Sequence, residues 1–281
     1  MFNRYSFLNY LASCLLFTTM SESFASSFTL SGSSDSADSE SHYIDVSIDI
    51  NKQHNFYIGS GESTIKDTSG EIKTTNYNFG FSGLASDQFD YDIGYTFWGN
   101  KNEISNEALH FALSIYTDNW KFTIRPEVQD IILYTINTRQ EIDIDASGIY
   151  NSVQYYGIEN LELLYSHSSY NYSRNPGGLN TRLAILFFSN TTLLLSGNFI
   201  ETKDLAEISF IPASIAWLPE RISLSFSQTV NAVDKSETDT ASLKISVNFS
   251  KNFSADFEAG EINPQNSENL SFFSTSLSVS F

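Results

Sequence analysis

The chain has 281 residues, of which 41% are apolar, 15% aromatic and only 17% charged, with 23 Phe and 15 Tyr; this mixture favours strands over helices and points to an all-β protein. Its 33 acids against 15 bases give a formal net charge of -18, so the excess carboxylates must face water or metal ions. A surface of that sign repels phosphate backbones and no basic cluster interrupts it, which argues against nucleic acid as a partner.

The N-terminus reads as an export signal over residues 1–25: Arg4 supplies the positive region, YSFLNYLASCLLFTTM the apolar stretch, and Ser23 and Ala25 in SFASS the small residues of a cleavage site. A competing reading takes LASC, Leu11 to Cys14, as a lipobox with an acylated Cys14, although the apolar region before it is then very short. Cleavage after Ala25 removes Cys14, the one cysteine, and with it all disulfide and thiol chemistry. Beyond residue 25 no uninterrupted apolar run reaches the ~18 residues of a spanning helix. If this chain crosses a membrane, it does so as a barrel.

Residues 26–41 are either a first strand, SSFTLSG, or a flexible acidic and Ser-rich segment, SGSSDSADSES. From residue 42 to 281 the sequence alternates with period two in segments of strand length. HYIDVSIDI sets Ile44, Val46, Ile48 and Ile50 against Asp45, Ser47 and Asp49; His42 opens this strand, His54 falls in a turn, and residues 59–71 read as a long loop. After the turn ASD (85–87), FDYDIGYTF sets Phe89, Tyr91, Ile93, Tyr95 and Phe97 against Asp90 and Asp92. A loop GNKNEISN (99–106) leads to ALHFALSI, where His110 stands between apolar Leu109 and Phe111, and then to the turn TDN (117–119).

Residues 131–158 are ambiguous, because EIDIDASG alternates and YNSVQYYGI does not. The remaining connections alternate long and short: NYSRNPGGLN (171–180), SN (189–190), ETKD (201–204), LPE (218–220), NAVDKSETD (231–239), SKN (250–252) and EINPQNSEN (261–269). Between them SLKISVNF sets Leu243, Ile245, Val247 and Phe249 against Lys244, and FSADFEAG sets Phe253 and Phe257 against Asp256 and Glu258. Trp98, Trp120 and Trp217 stand at strand ends, where an aromatic girdle belongs. Segments of about 9 to 11 residues suit tilted membrane strands better than the shorter strands of soluble sandwiches.

The export signal, the alternation and above all the last strand, FSTSLSVSF with Phe273, Leu277, Val279 and a terminal Phe281, resemble the Gram-negative outer-membrane β-barrels, including the general porins. Thr275 departs mildly from the pattern. The resemblance implies an antiparallel up-and-down barrel with short periplasmic turns and longer outer loops, an outer-membrane location, contact with outer-membrane lipids and lipopolysaccharide, and a last strand read by the barrel-assembly machinery. It leaves a homo-oligomer open. Counting strands favours 16, with 14 if the middle region holds one hairpin fewer.

In such a barrel the apolar faces meet lipid and the intervening residues line the lumen. The pore-lining candidates are Asp45, Asp49, Asp90, Asp92, His110, Asp143, Asp145, Lys244, Asp256 and Glu258, with Arg125 and Arg182 as further inward bases. A wet lumen with more acids than bases describes a porin-like channel for passive diffusion of ions and small hydrophilic solutes, with a mild preference for cations. No cofactor and no metal site is expected, because no His spacing suits a metal.

Two alternatives stand beside this reading. One is a non-conducting structural or adhesive barrel. The other rests on LELLYSHSSYNYSRNPGGLN, which looks like the H-x-S site of outer-membrane phospholipase A: His167 would be the base, Ser169 the nucleophile and Asn180 the group that orients the imidazole, with calcium as the cofactor. Tyr170, Asn171 and Tyr172 replace the Asn-Gly-Arg that follows the Ser in that family.

Overall fold

A computed structural model of the chain describes residues 27–67, 70–100, 104–134, 141–174, 199–212, 219–232, 235–265 and 268–281. The expected export signal with Cys14, together with Trp217, Asn180, Arg182 and the expected turn at 189–190, lies outside the described residues.

Fourteen antiparallel strands form a closed barrel: β1 (Ser27–Asp35), β2 (Glu40–Asp49), β3 (His54–Asp67), β4 (Gly70–Ser86), β5 (Phe89–Asn100), β6 (Ile104–Tyr116), β7 (Trp120–Tyr134), β8 (Glu141–Ile158), β9 (Leu161–Tyr172), β10 (Ile200–Phe210), β11 (Pro219–Asn231), β12 (Glu237–Ser250), β13 (Phe253–Pro264) and β14 (Leu270–Ser280). Each strand pairs with its neighbours in sequence, and β1 closes the ring on β14 through Ser27↔Ser280 to Asp35↔Phe272. Closure gives every one of these strands a bonded neighbour on both sides, the condition for crossing hydrocarbon. No helix of the described residues is long and apolar enough to do so.

Of the two strand numbers the sequence allows, 16 and 14, the ring closes at fourteen. ETKD, expected as a connection, is not one: Thr202, Lys203 and Asp204 pair with Ser169, Ser168 and His167 of β9. β9 and β10 are bonded directly to each other in the ring. The expected loop at 59–71 is mostly strand, since β3 and β4 stay in register from His54↔Gly83 out to Asp67↔Gly70. The described part of the ambiguous middle, 131–134 and 141–158, is the end of β7 and all of β8, two strands paired from Trp120↔Tyr155 to Tyr134↔Glu141.

One end of the barrel holds the start of β1, the end of β14 and, among the described residues, the connections 50–53, 87–88, 117–119, 159–160 and 251–252. Its turns are held by local polar groups. Asn51 Oδ1 accepts hydrogen bonds from the backbone N–H of Gln53 (2.8 Å) and His54 (3.0 Å), and Asn160 adopts φ 62° in the two-residue turn before β9, a conformation Asn tolerates. The Tyr156 hydroxyl donates to Thr117 O at 2.7 Å, tying the β6–β7 turn to β8.

The alternation places large apolar side chains on the outside: Ile58, Phe79, Ile93, Leu109, Ile124, Tyr165, Leu224, Leu243 and Phe273 are all exposed. A soluble protein does not present so extensive an apolar belt, whereas lipid requires one. Tyr95 packs against Phe79 with centroids 5.1 Å apart, and Trp120 against Tyr155 at 4.5 Å. Trp120 is exposed at the rim, as expected of a girdle residue; Trp98 is not, being buried and turned inward beside Asn106.

Candidate functional site

The inner face is a polar wall built from the residues between the apolar ones. On β2 to β6 it carries Asp45, Asp49, Asp90, Asp92 and His110. On β7 to β13 it carries Lys121, Arg125, Glu127, Glu162, Lys203, Glu207, Arg221, Lys244, Asp256 and Glu258. Hydroxyls fill much of the rest, as in Ser223, Ser225 and Ser227 on β11 and Ser274, Ser276 and Ser278 on β14.

These groups are knitted together across strands. Asp92 Oδ1 lies 2.5 Å from His110 Nε2 and accepts from the Tyr57 hydroxyl at 3.3 Å. Glycines make room for the rings: a Cβ at Gly94 would strike both His110 and Tyr57, and one at Gly59 would strike Tyr43. Toward the end that holds the strand termini, Lys121 Nζ is 3.1 Å from Asp90, which also accepts from the Tyr116 hydroxyl. Arg221 donates to Glu162 at 2.7 Å, and Lys244 stands 3.3 Å from Asp256, which accepts from Ser276 Oγ at 3.2 Å.

A recess of about 360 Å³ in this wall spans β5 to β10. Arg125 lies over the Tyr150 ring at 4.9 Å and reaches Glu127 at 3.7 Å; Glu127 also accepts from Gln129 at 2.5 Å and from the Tyr170 hydroxyl at 3.4 Å. Lys203 enters the same recess from β10. Toward the far end the inner face turns apolar, with Ile104, Ile131, Leu133 and Ile144 buried.

That change of character corrects two expectations. The alternation of EIDIDASG places Asp143 and Asp145 in the lumen, but the inward residues of β8 here are Ile142 and Ile144, facing Leu133 and Ile131 of β7. Asp145 is instead paired with outward Asp130, which is paired with Glu107, so these carboxylates lie on the outside of the barrel. The outward apolar run of β7 ends at Val128, 55% exposed, directly before Asp130. Beyond the lipid belt the outside is wet and the inside is packed, so the two faces exchange polarity.

Asp45, Asp49, Asp90, Asp92, His110, Lys244, Asp256 and Glu258 take inward positions. Lys121, Glu127, Glu162, Lys203, Glu207 and Arg221 were not singled out by the sequence. Glu127 and Lys203 sit in PEVQD and ETKD, where alternation is faint, and only Ala206, Ile208 and Phe210 hint at the phase of β10; Lys121 in WKFTIR and Arg221 in RISLSF lie in clear alternation that could have found them.

His167 and Ser169 share the outer face of β9 with Tyr165. The partner of His167 is Asp204 of β10, 2.9 Å from Nδ1, which also accepts from the Tyr165 hydroxyl at 2.6 Å. Among the described residues no cluster of three His, Cys, Asp or Glu could hold a metal ion.

No protein-family model matches the chain, and no curated protein matches it in sequence. Solved structures do. The chain is similar to the CymD monoaromatic hydrocarbon channel, with 9% identity and a TM-score of 0.55 over 94% of this chain and 90% of that one. It is similar to OccAB1 of Acinetobacter baumannii, with 7% identity and a TM-score of 0.51 over 91% and 95%. A bacterial polysaccharide outer membrane secretin gives 8% identity and a TM-score of 0.50 over 91% and 98%. At these identities the likeness is one of fold alone, a closed antiparallel β-barrel.

Proposed function

We propose that this chain is a bacterial outer-membrane channel through which ions and small hydrophilic solutes diffuse passively, with a mild preference for cations. The observation that supports it most is the inner wall, where small hydroxyls and more carboxylates than bases line a closed ring of fourteen strands. Eight strands suffice for side chains to fill an interior, and 16 to 18 leave an aqueous channel. A fourteen-strand ring walled by Ser and Thr sits toward the wide end of that range. Its carboxylates need water around them, because a buried unpaired charge is costly.

The excess of acids gives the inner wall a negative potential that draws cations in and holds anions back. The outward apolar belt suits lipid, and the exposed Phe273 and Phe281 of the last strand suit recognition by an assembly machinery. Outer-membrane lipids and lipopolysaccharide are the surroundings this belt fits; self-association would bury part of it.

Current through a planar bilayer under a potassium chloride gradient tests the reading. Discrete conductance steps with a reversal potential of cation sign are expected. No steps would leave a non-conducting structural barrel, and a reversal potential of anion sign would remove the preference for cations.

A further inference from the structure

We infer that the recess between β7 and β10 is a binding site for a solute carboxylate, held between Lys203 and Arg125; the inference rests on the channel reading for the route by which the solute arrives. Four other bases project from the inner wall with acids beside them: Lys121 with Asp90 at 3.1 Å, Arg125 with Glu127 at 3.7 Å, Arg221 with Glu162 at 2.7 Å and Lys244 with Asp256 at 3.3 Å. Among the described residues Lys203 has no such partner, in a chain whose formal net charge is -18. A half-buried lysine left without an acid where acids are abundant keeps its charge available to an anion from outside.

A second, independent feature points the same way. Arg125 Nε is buried and has no hydrogen-bond acceptor, although its neighbouring nitrogen reaches Glu127. Lys203, Ser168, Tyr150 and Arg125 lie in one row across four strands, paired Lys203↔Ser168, Ser168↔Tyr150 and Tyr150↔Arg125. Three strand spacings put the outer two Cα atoms roughly 14 Å apart, a gap two long side chains narrow to the width of a small organic acid. Ser168 keeps the floor low, and Trp98 adds an apolar wall on the β5 side. Two cations against the one carboxylate of Glu127 leave the recess locally positive inside an acidic lumen. The far field then sets ion preference while these contacts set solute affinity.

The test compares glucuronate with glucose, which differ at one carbon, carboxylate against hydroxymethyl. In the detergent-solubilised barrel, quenching of Trp98 is expected at an about tenfold lower concentration of glucuronate than of glucose, with the signal absent in Trp98→Phe. Lys203→Gln should abolish the difference and Lys203→Arg restore it. In bilayers, glucuronate should interrupt the current at lower concentration than glucose. Equal response to both sugars, or a difference that persists in Lys203→Gln combined with Arg125→Gln, overturns the site. Binding without any conductance keeps the site and removes the channel; conductance with no discrimination keeps the channel and removes the site.

Discussion

Arg221 of β11 and Glu162 of β9 meet inside the barrel at 2.7 Å although β10 runs between them. The contact crosses because the β10 residue opposite Glu162 is Ser209, small and buried, whose hydroxyl bonds to Ser223 at 2.7 Å. Glu162 also accepts from Gln154 at 3.1 Å, so the pair belongs to a girdle across four strands. Arg221→Gln keeps a polar side chain but removes the charge, and so frees a carboxylate into the lumen. The expected result is a larger cation preference in the reversal potential. The side chains are 37% and 20% exposed, so the loss of stability should stay within about 1 kcal/mol, read as a small drop in the temperature of the heat-modified shift on a gel.

The two faces of β11 predict opposite outcomes for one substitution at adjacent positions. Leu224 is 48% exposed on the lipid side, and Leu224→Lys should cost about 2–4 kcal/mol if the site lies near the bilayer midplane. Ser225 points inward with its hydroxyl 3.4 Å from Glu207, so Ser225→Lys should fold normally and lower the cation preference. Urea midpoints in lipid vesicles measure the first effect, and reversal potentials the second.

Asp92 and Asp145 separate lumen from exterior in the same way. Asp92→Asn removes a carboxylate bonded to His110 and Tyr57 on the inner wall, and a reduced cation preference is expected. Asp145→Asn acts on the outside of the β7–β8 hairpin, and the reversal potential should not move. A shift of equal size for both substitutions would contradict this placement.

Gly94 lies beneath the ring of His110, where a Cβ would come 2.8 Å from Nε2 and closer still to the Tyr57 hydroxyl. Gly94→Val therefore has to drive His110 away from Asp92. Overpacking of this kind costs about 1–3 kcal/mol, and a lower yield of heat-modifiable barrel is the expected outcome.

Much of the barrel was legible residue by residue. In FDYDIGYTF the alternation separates Asp90 and Asp92 from the aromatics, and the structure sets them on opposite faces. The same kind of pattern misled in EIDIDASG, where Ile142 and Ile144 turn in and Asp143 and Asp145 turn out. Period two shows that two faces differ, not which one is inside. That depends on whether the segment lies within the lipid belt, and no local window records its height along the barrel axis. Trp98 illustrates the same gap, since a strand-end tryptophan reads as a girdle residue until its register with Asn106 turns it inward.

Alternation, aromatic-rich apolar faces and acidic balance are properties of the chain read in one dimension, and they were enough for an all-β barrel. Strand number, the girdle of ion pairs and the recess around Lys203 depend on which residues face each other across strands. Lys203 became a candidate only when β10 was paired with β9 and its neighbours in the recess proved to include Arg125 and no acid committed to it. Pairing register is set by closure of the whole ring, a long-range constraint that no single strand carries.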